Sequence, residues 1–336
     1  MEKAFSSEKS IQKPSSVQYP MASIIISNCN GEKYLHECLS SLMQLDYPLY
    51  EVIVVDAASS DNSIAIIERD FPEVHLIKKG RIGIGEALNY GISMAHGEFI
   101  VFDLNNDDVV DKNWLARLVK VLVDSPDIGV VCGKRFKYGS NNILDSAGGR
   151  ISYLTGNTTV IGENRLDSAS YNVQKEVDWV PVITTKREIL EKVGLCDPSY
   201  YIYFEDSDFC LRVKRSGYKI VFVPSAVFWH RGSSTIGQNS RKGLYYHYRN
   251  QTRFILKNYP VHFMILALFY SSFFQTLRDL PFGVPPIGKT LAKFSPFCKE
   301  CTEGNGLMLV KVRTTAILWN IKNLKNTIET RYQTMH

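Results

Sequence analysis

Cysteine is scarce in this chain. The 336 residues hold seven, an odd number, scattered at positions 29, 38, 132, 196, 210, 298 and 301. A disulfide-stapled fold needs far denser cysteine, so that class is excluded and a reducing compartment is expected. Cys298 and Cys301 form a lone CxxC pair with no second ligand pair nearby, which does not make a closed four-ligand zinc site. Charge of one sign is also lacking: 39 Lys+Arg stand against 34 Asp+Glu, a net +5. The balance is uneven, since residues 256–336 carry +6 and the first 255 carry −1. A nearly neutral body with a basic C-terminal region argues against a nucleic-acid partner and for an anionic membrane surface. The first twenty residues are rich in Ser, Lys and Gln and have no apolar run, so a disordered leader over 1–20 and a cytoplasmic start are expected. No Walker loop, GxSxG or HExxH is present, and no internal repeat is visible.

What is present is a globular composition, 45% hydrophobic, 22% charged and 12% aromatic, in a chain long enough for about two domains. Residues 22–27 read as a buried strand, and 31–44 carry Tyr34, Leu35, Cys38, Leu39 and Leu42 at helical spacing. Strands at 51–55, 74–78, 98–103 and 128–133 alternate with helices ending near Phe71, at 84–95 and at 114–123. Such alternation implies right-handed crossovers and a mainly parallel sheet, an α/β fold. Residues 136–173 loosen into Gly, Asn, Ser and Tyr and read as an irregular insertion. Order returns at 176–184, with helices at 186–193 and 206–216 and a strand at 219–223.

Three acidic clusters lie where elements begin or end, the edge where ligands bind in open α/β sheets. Asp56, Ser59, Asp61 and Ser63 follow the second strand, where carboxylates can accept hydrogen bonds from a base or ribose; a helix-capping turn explains them equally well. Asn105, Asn106, Asp107 and Asp108 follow the fourth strand, and hard oxygen ligands on one turn suit Mg²⁺ or Mn²⁺ bridging a diphosphate. Glu205, Asp206 and Asp208 open a helix, whose N-terminus favours an ionised carboxylate ready to accept a proton. His230 follows an apolar run. Gly83 and Gly85 suggest a dinucleotide loop, but Asp56 precedes them, and that fingerprint needs the glycines first.

Taken together, the order of these pieces resembles the family-2 inverting glycosyltransferases of GT-A fold, and most of all their rhamnosyltransferase-type branch. The likeness rests on Asn30-Gly31, Asp56 with Ser59, Asp61 and Ser63, Gly83 with Asn89 and Gly91, and Asn105 with Asp107. It continues through Val177-Asp178-Trp179, Lys186-Arg187, Glu205-Asp206 with Asp208 and Arg212, Gly217-Tyr218, His230, Tyr248-Arg249-Asn250 and Arg253-Phe254. The resemblance implies a donor site of Asn30, Asp56, Ser59, Asp61, Gly83, Asn89 and Asn105. It implies Mn²⁺ or Mg²⁺ held by Asp107, Asn105 and His230, an acceptor site with Trp179 and Glu205, and Asp206 as catalytic base. The chain departs from the pattern at Ser27-Asn28-Cys29, where Pro-Thr-aromatic is usual, and at Arg81, where Asn is commoner. Pro181-Val182-Ile183 replace small residues, so a different acceptor pocket is expected.

The expected organisation is a catalytic domain over 21–257, with a nucleotide half at 21–135 and an acceptor half at 136–257, followed by a helical region at 258–336. Residues 258–277 hold no Lys, Arg, Asp or Glu, yet His262, Ser271, Ser272, Gln275 and Thr276 dilute the stretch below a clear membrane span. Residues 307–328 read as a basic amphipathic helix for an anionic interface, with packing on the body or a homodimer as the alternative. The expected function is transfer of a sugar from a UDP- or dTDP-sugar to a hydroxyl of a glycan or lipid-linked acceptor at the cytoplasmic membrane face. A sugar-phosphate nucleotidyltransferase and a non-catalytic sugar-binding or scaffold protein are the alternatives. The first lacks its phosphate loop, since 27–31 hold one glycine.

Overall fold

A computed structural model describes residues 19–140, 142–232, 240–271 and 306–335. Strand β1 (Ala22–Asn28) buries Ile24, Ile25 and Ile26 completely, as a strand covered on both faces does. Helix α1 (Glu32–Met43) turns Leu35, Cys38, Leu39 and Leu42 inward. The chain then forms β2 (Tyr50–Ala57), α2 (Ser63–Asp70), β3 (His75–Lys79), α3 (Ile84–Met94) and β4 (Phe99–Asn105). Strands β2 and β3 lie to one side of β1 and β4 lies to the other, all parallel. This reversal is a topological switch point, and it opens a crevice at the C-terminal ends of β1, β2 and β4.

The second half begins with β5 (Asp108–Val110), α4 (Trp114–Asp124) and β6 (Ile128–Lys137). Residues 136–173 are less irregular than their composition suggests. They finish β6 and add β7 (Leu144–Ser146), with β8 (Gly149–Ile151) and β9 (Thr158–Val160) as a separate hairpin. In the 176–184 region only β10 (Lys175–Glu176) and β11 (Ile183–Lys186) are strands. Then come α5 (Arg187–Val193), α6 (Glu205–Arg215) and β12 (Lys219–His230). The main sheet runs β10-β12-β6-β11-β4-β1-β2-β3. It is mixed: the parallel blocks β6-β12 and β4-β1-β2-β3 are joined by β11, antiparallel to both neighbours. Strand β11 arrives without a crossover helix, and such a connection leaves antiparallel pairing open to it.

Strand β4 carries a bulge. Its register on β1 jumps from Ile24↔Val101 to Ile26↔Leu104, and Asp103 inside the jump has φ +66°. Bulges re-aim side chains beside active sites.

The C-terminal region forms α7 (Arg241–Asn258), α8 (Val261–Phe269), α9 (Gly306–Lys322) and α10 (Leu324–Met335). The single helix expected over 307–328 is thus two, and both pack on α7. Leu309 and Val312 cover Leu244, and Asn320 Nδ2 donates to the Arg249 carbonyl at 2.9 Å. No helix among the described residues is long and apolar enough to cross a membrane. The leader up to residue 18, residues 272–277 of the uncharged stretch and the Cys298/Cys301 pair lie outside the described residues.

Helix α7 is polar where it meets the body. Arg253 and Lys257 are buried and both reach Asp197, at 2.9 and 3.0 Å. Lys257 also meets Asp208 at 3.0 Å. Arg253 Nη1 donates to Thr327 Oγ1 of α10 at 2.7 Å. Thr327→Val should leave that buried N–H unpaired and lower stability by about 1–3 kcal/mol in urea titrations. Unchanged stability would show that the Thr327 hydroxyl does not hold Arg253.

Candidate active site

The crevice at the switch point is lined first by β1 and β2. Asn28 and Asp56 stand side by side in the register, and Asn28 Nδ2 donates to Asp56 Oδ2 at 2.7 Å. Ser59 adds its hydroxyl at 2.6 Å and its N–H at 2.9 Å to the same carboxylate. Asn30, at φ +52°, accepts the Ser60 N–H and donates its own N–H to Ser59 Oγ. Asn30, Asp56, Ser59 and Asp61 therefore meet at one strand edge. Asp61 accepts from the Glu32 and Ser63 N–H groups, so its carboxylate caps the starts of α1 and α2.

Gly83 and Asn89 face elsewhere. A Cβ on Gly83 would lie 2.7 Å from the Tyr201 Cα, so glycine there lets α3 close on the second half. Asn89, expected at the donor, pairs both amide groups with the backbone of Cys196, at 2.8 and 3.0 Å. Trp179, expected at the acceptor, is buried with its ring against Gly149.

The next edge belongs to the turn after β4. Asn105 is half-buried at the strand end, and its N–H donates to Asp108 Oδ2 at 2.9 Å. Strand β12 pairs His230 with Asp108 in register. That pairing brings His230 Nε2 to 3.5 Å from Asp107 Oδ1. On its other side Nδ1 lies 3.0 Å from Asp145 Oδ2, and Arg135 Nε approaches the same oxygen at 2.7 Å. A hard carboxylate beside an imidazole nitrogen fits Mn²⁺ or Mg²⁺, ions that complete their shells with phosphate oxygens and water. Among the described residues no group of three His, Cys, Asp or Glu side chains is arranged to hold a metal ion by itself.

The third edge is the start of α6, where the three carboxylates differ in surroundings. Asp208 is fully buried among Arg212, Lys257, Asn258 and Tyr200. Burial opposes its charge, but Lys257 and Arg212 outweigh it and hold the carboxyl well below the usual range. It is a structural anion. Glu205 is buried, and its Oε2 has no hydrogen-bond partner among the described residues. Burial, with Asp103 and Asp206 nearby, pushes it well above the usual range, so it carries a proton. Asp206 is half-buried, and loss of water pushes it up to about 6 against hydrogen bonds from Ser207. It alone of the three can change protonation near neutrality.

Arg135 joins the second and third edges. Its charge acts on Asp108, Asp145 and Asp206, and also on Asp103, which burial and Asp206 raise well above the usual range. Asp103, Arg135 and Asp145 carried no sequence signal: Asp103 reads as the end of a strand, Arg135 lies past the expected strand at 128–133, and Asp145 falls in the stretch read as an irregular insertion. Only the bulge and the pairing of β6, β7 and β12 bring them here.

Residues 23–194 match a family model described as glycosyl transferase family 2. An uncharacterized glycosyltransferase of Nostoc sp. is 31% identical over 184 residues, 52% of this chain and 54% of that protein. The chain spans about half or less of the curated relatives it matches. Among solved structures, the mannosyltransferase PcManGT from Pyrobaculum calidifontis, in complex with GDP-Man and Mn²⁺, superposes with TM-score 0.52 at 20% identity, over 96% of this chain and 89% of that one. S. aureus TarS 1-349 in complex with UDP-GlcNAc gives TM-score 0.52 at 18% identity, over 94% and 93%. These likenesses concern the fold, and it is the GT-A fold.

Asp145 holds His230 Nδ1 and so leaves Nε2 toward Asp107. If Asp107 and His230 hold Mn²⁺, Asp145→Asn should weaken its binding about 10–100-fold, read by calorimetry in the presence of UDP. An unchanged affinity would remove Asp145 from the site.

Proposed function

The chain belongs to glycosyl transferase family 2, and from that premise we propose that it transfers a sugar from a UDP- or dTDP-sugar to a hydroxyl of a glycan or lipid-linked acceptor. What supports this reading is that Asp107, 3.5 Å from His230, and Asp206 both lie within electrostatic reach of the Arg135 guanidinium. In this reading Asp206 accepts the acceptor's hydroxyl proton as the oxygen attacks the anomeric carbon. No side chain attacks first, so the single displacement inverts the configuration. In this reading Glu205, next to Asp206 and raised well above the usual carboxylate range by burial, would donate a hydrogen bond to the acceptor. Asn30, Asp56 and Ser59 hold the nucleotide end of the donor. Asp107 and His230, with Asn105 alongside, would hold Mn²⁺ or Mg²⁺, which when bound neutralises the leaving diphosphate.

The proposal includes a cytoplasmic membrane face as the place of work. Its support is α8, which exposes Val261, Ile265, Leu266 and Phe269 along one strip, and the +6 balance of residues 256–336. An apolar strip with basic neighbours suits an anionic interface.

Two measurements test the chemistry. Asp206 must be ionised to act, so turnover should fall as pH drops through about 6. Asp206→Asn should lower turnover about 10²–10⁴-fold with UDP binding kept. Near-normal turnover in that variant would exclude Asp206 as the base. Separately, thermal shifts with UDP, dTDP and GDP should show stabilisation that depends on Mn²⁺ and is lost in Asp107→Ala. Mn²⁺-dependent stabilisation that survives in Asp107→Ala would exclude Asp107 as a ligand.

A further inference from the structure

The chain that leads into α6 is held in an unfavourable shape. Tyr201, Tyr203 and Phe204 have φ of +65°, +69° and +74°, the left-handed region that favours glycine, and none of them is glycine. Asp206 comes two residues later. Such a turn persists only where its surroundings impose it.

Helix α7 supplies that imposition. The Asn250 amide is fully buried, and its Nδ2 donates to the carbonyls of Tyr200, Ile202 and Tyr203 at 2.8, 2.6 and 2.9 Å. Arg249 Nε donates to Asn250 Oδ1 at 2.8 Å, which sets the amide's orientation and leaves its N–H groups facing the turn. Arg249 Nη2 also donates to the Ser199 and Tyr200 carbonyls. From the opposite side the Ile84 N–H donates to the Tyr201 carbonyl at 2.7 Å. The turn is therefore clamped between α3 and α7, and four of its carbonyl groups are spoken for by side chains of one helix.

We propose that Asn250 is a positioning residue for the transfer reaction: by holding three carbonyls of the strained turn it aims the Asp206 carboxylate at the acceptor hydroxyl. The proposal rests on the reading of Asp206 as the base. Asn250 itself touches no substrate. It differs from a merely stabilising residue because its bonds end on the backbone that carries Asp206. Its loss should reach the chemical step and spare the nucleotide edge, built from β1 and β2.

The test uses the full chain, with UDP plus Mn²⁺ as the binding probe. Turnover is followed as hydrolysis of UDP-, dTDP- or GDP-sugar, whichever nucleotide stabilises the wild type most. Asn250→Ala should lower kcat about 10²-fold, the cost of misplacing a reacting group by about 1 Å, while UDP affinity stays within about threefold. Hydrogen exchange over residues 198–208 should speed up in the same variant. Thr327→Val, which loosens the same helix from the other side, should lower the melting temperature and leave kcat alone. Should Asn250→Ala fail to fold, Arg249→Lys keeps the charge and loses the fork, and should lower kcat about fivefold at unchanged UDP affinity. Wild-type kcat in the folded Asn250→Ala protein, parallel loss of kcat and UDP affinity, or an equal kcat loss in Thr327→Val would each overturn the proposal. If Asp206→Asn turns over like the wild type, the base reading has failed and the positioning role falls with it. A dead Asp206→Asn beside a fully active Asn250→Ala sinks the positioning role alone.

Discussion

Two buried carboxylates, Asp197 and Asp208, depend on cations that arrive from a helix about fifty residues later in the chain. Asp208 has no exposure, and a charge there is tolerated only because Arg212, Lys257, Asn258 and Tyr200 surround it. Removing one partner of such a buried pair costs about 3–5 kcal/mol, since the other charge is left without water or counter-ion. The constraint runs outward from there. Arg253 and Lys257 fasten α7 to Asp197, Lys257 also ties it to Asp208 in the first turn of α6, and α7 in turn carries the Asn250 and Arg249 side chains that shape the turn before Asp206. Helices α9 and α10 then cover α7, bonding its Arg249 carbonyl and the Arg253 guanidinium.

The same network explains how three neighbouring carboxylates come to do different work. Sequence distance separates Glu205, Asp206 and Asp208 by three positions at most, and helix N-termini favour all of them as anions. Their surroundings divide them. Asp208 is matched by cations and stays charged, Glu205 lacks a counter-ion and stays neutral, and Asp206 lies between the two conditions. Environments that push neighbouring titratable groups apart in this way are how acid and base roles are assigned within one site.

Much of the architecture was legible from local pattern. The isoleucine run of β1 and the spacing of Leu35, Cys38, Leu39 and Leu42 in α1 report burial directly, because a strand or helix must hide its apolar side whatever it packs on. The clusters at Asp56, Asn105 and Glu205 could be placed at element ends for the same reason. Asn89 and Gly83 stood in the expected motif, yet they serve the contact between α3 and the second half. Spacing along the chain reports which residues recur together and not which way each one points.

Sequence alone determined the order of elements, the family resemblance and the acidic clusters, since hydrophobic periodicity and motif spacing are local properties of a chain. Tertiary structure decided the antiparallel β11, the bulge that turns Asp103 inward, the gathering of Arg135, Asp145 and His230, and the docking of the C-terminal helices on α7. It also decided which of the three carboxylates is left where its protonation changes near neutrality. Those outcomes depend on pairing across tens of residues and on how far water is removed from each charge, and neither quantity exists until the chain has folded.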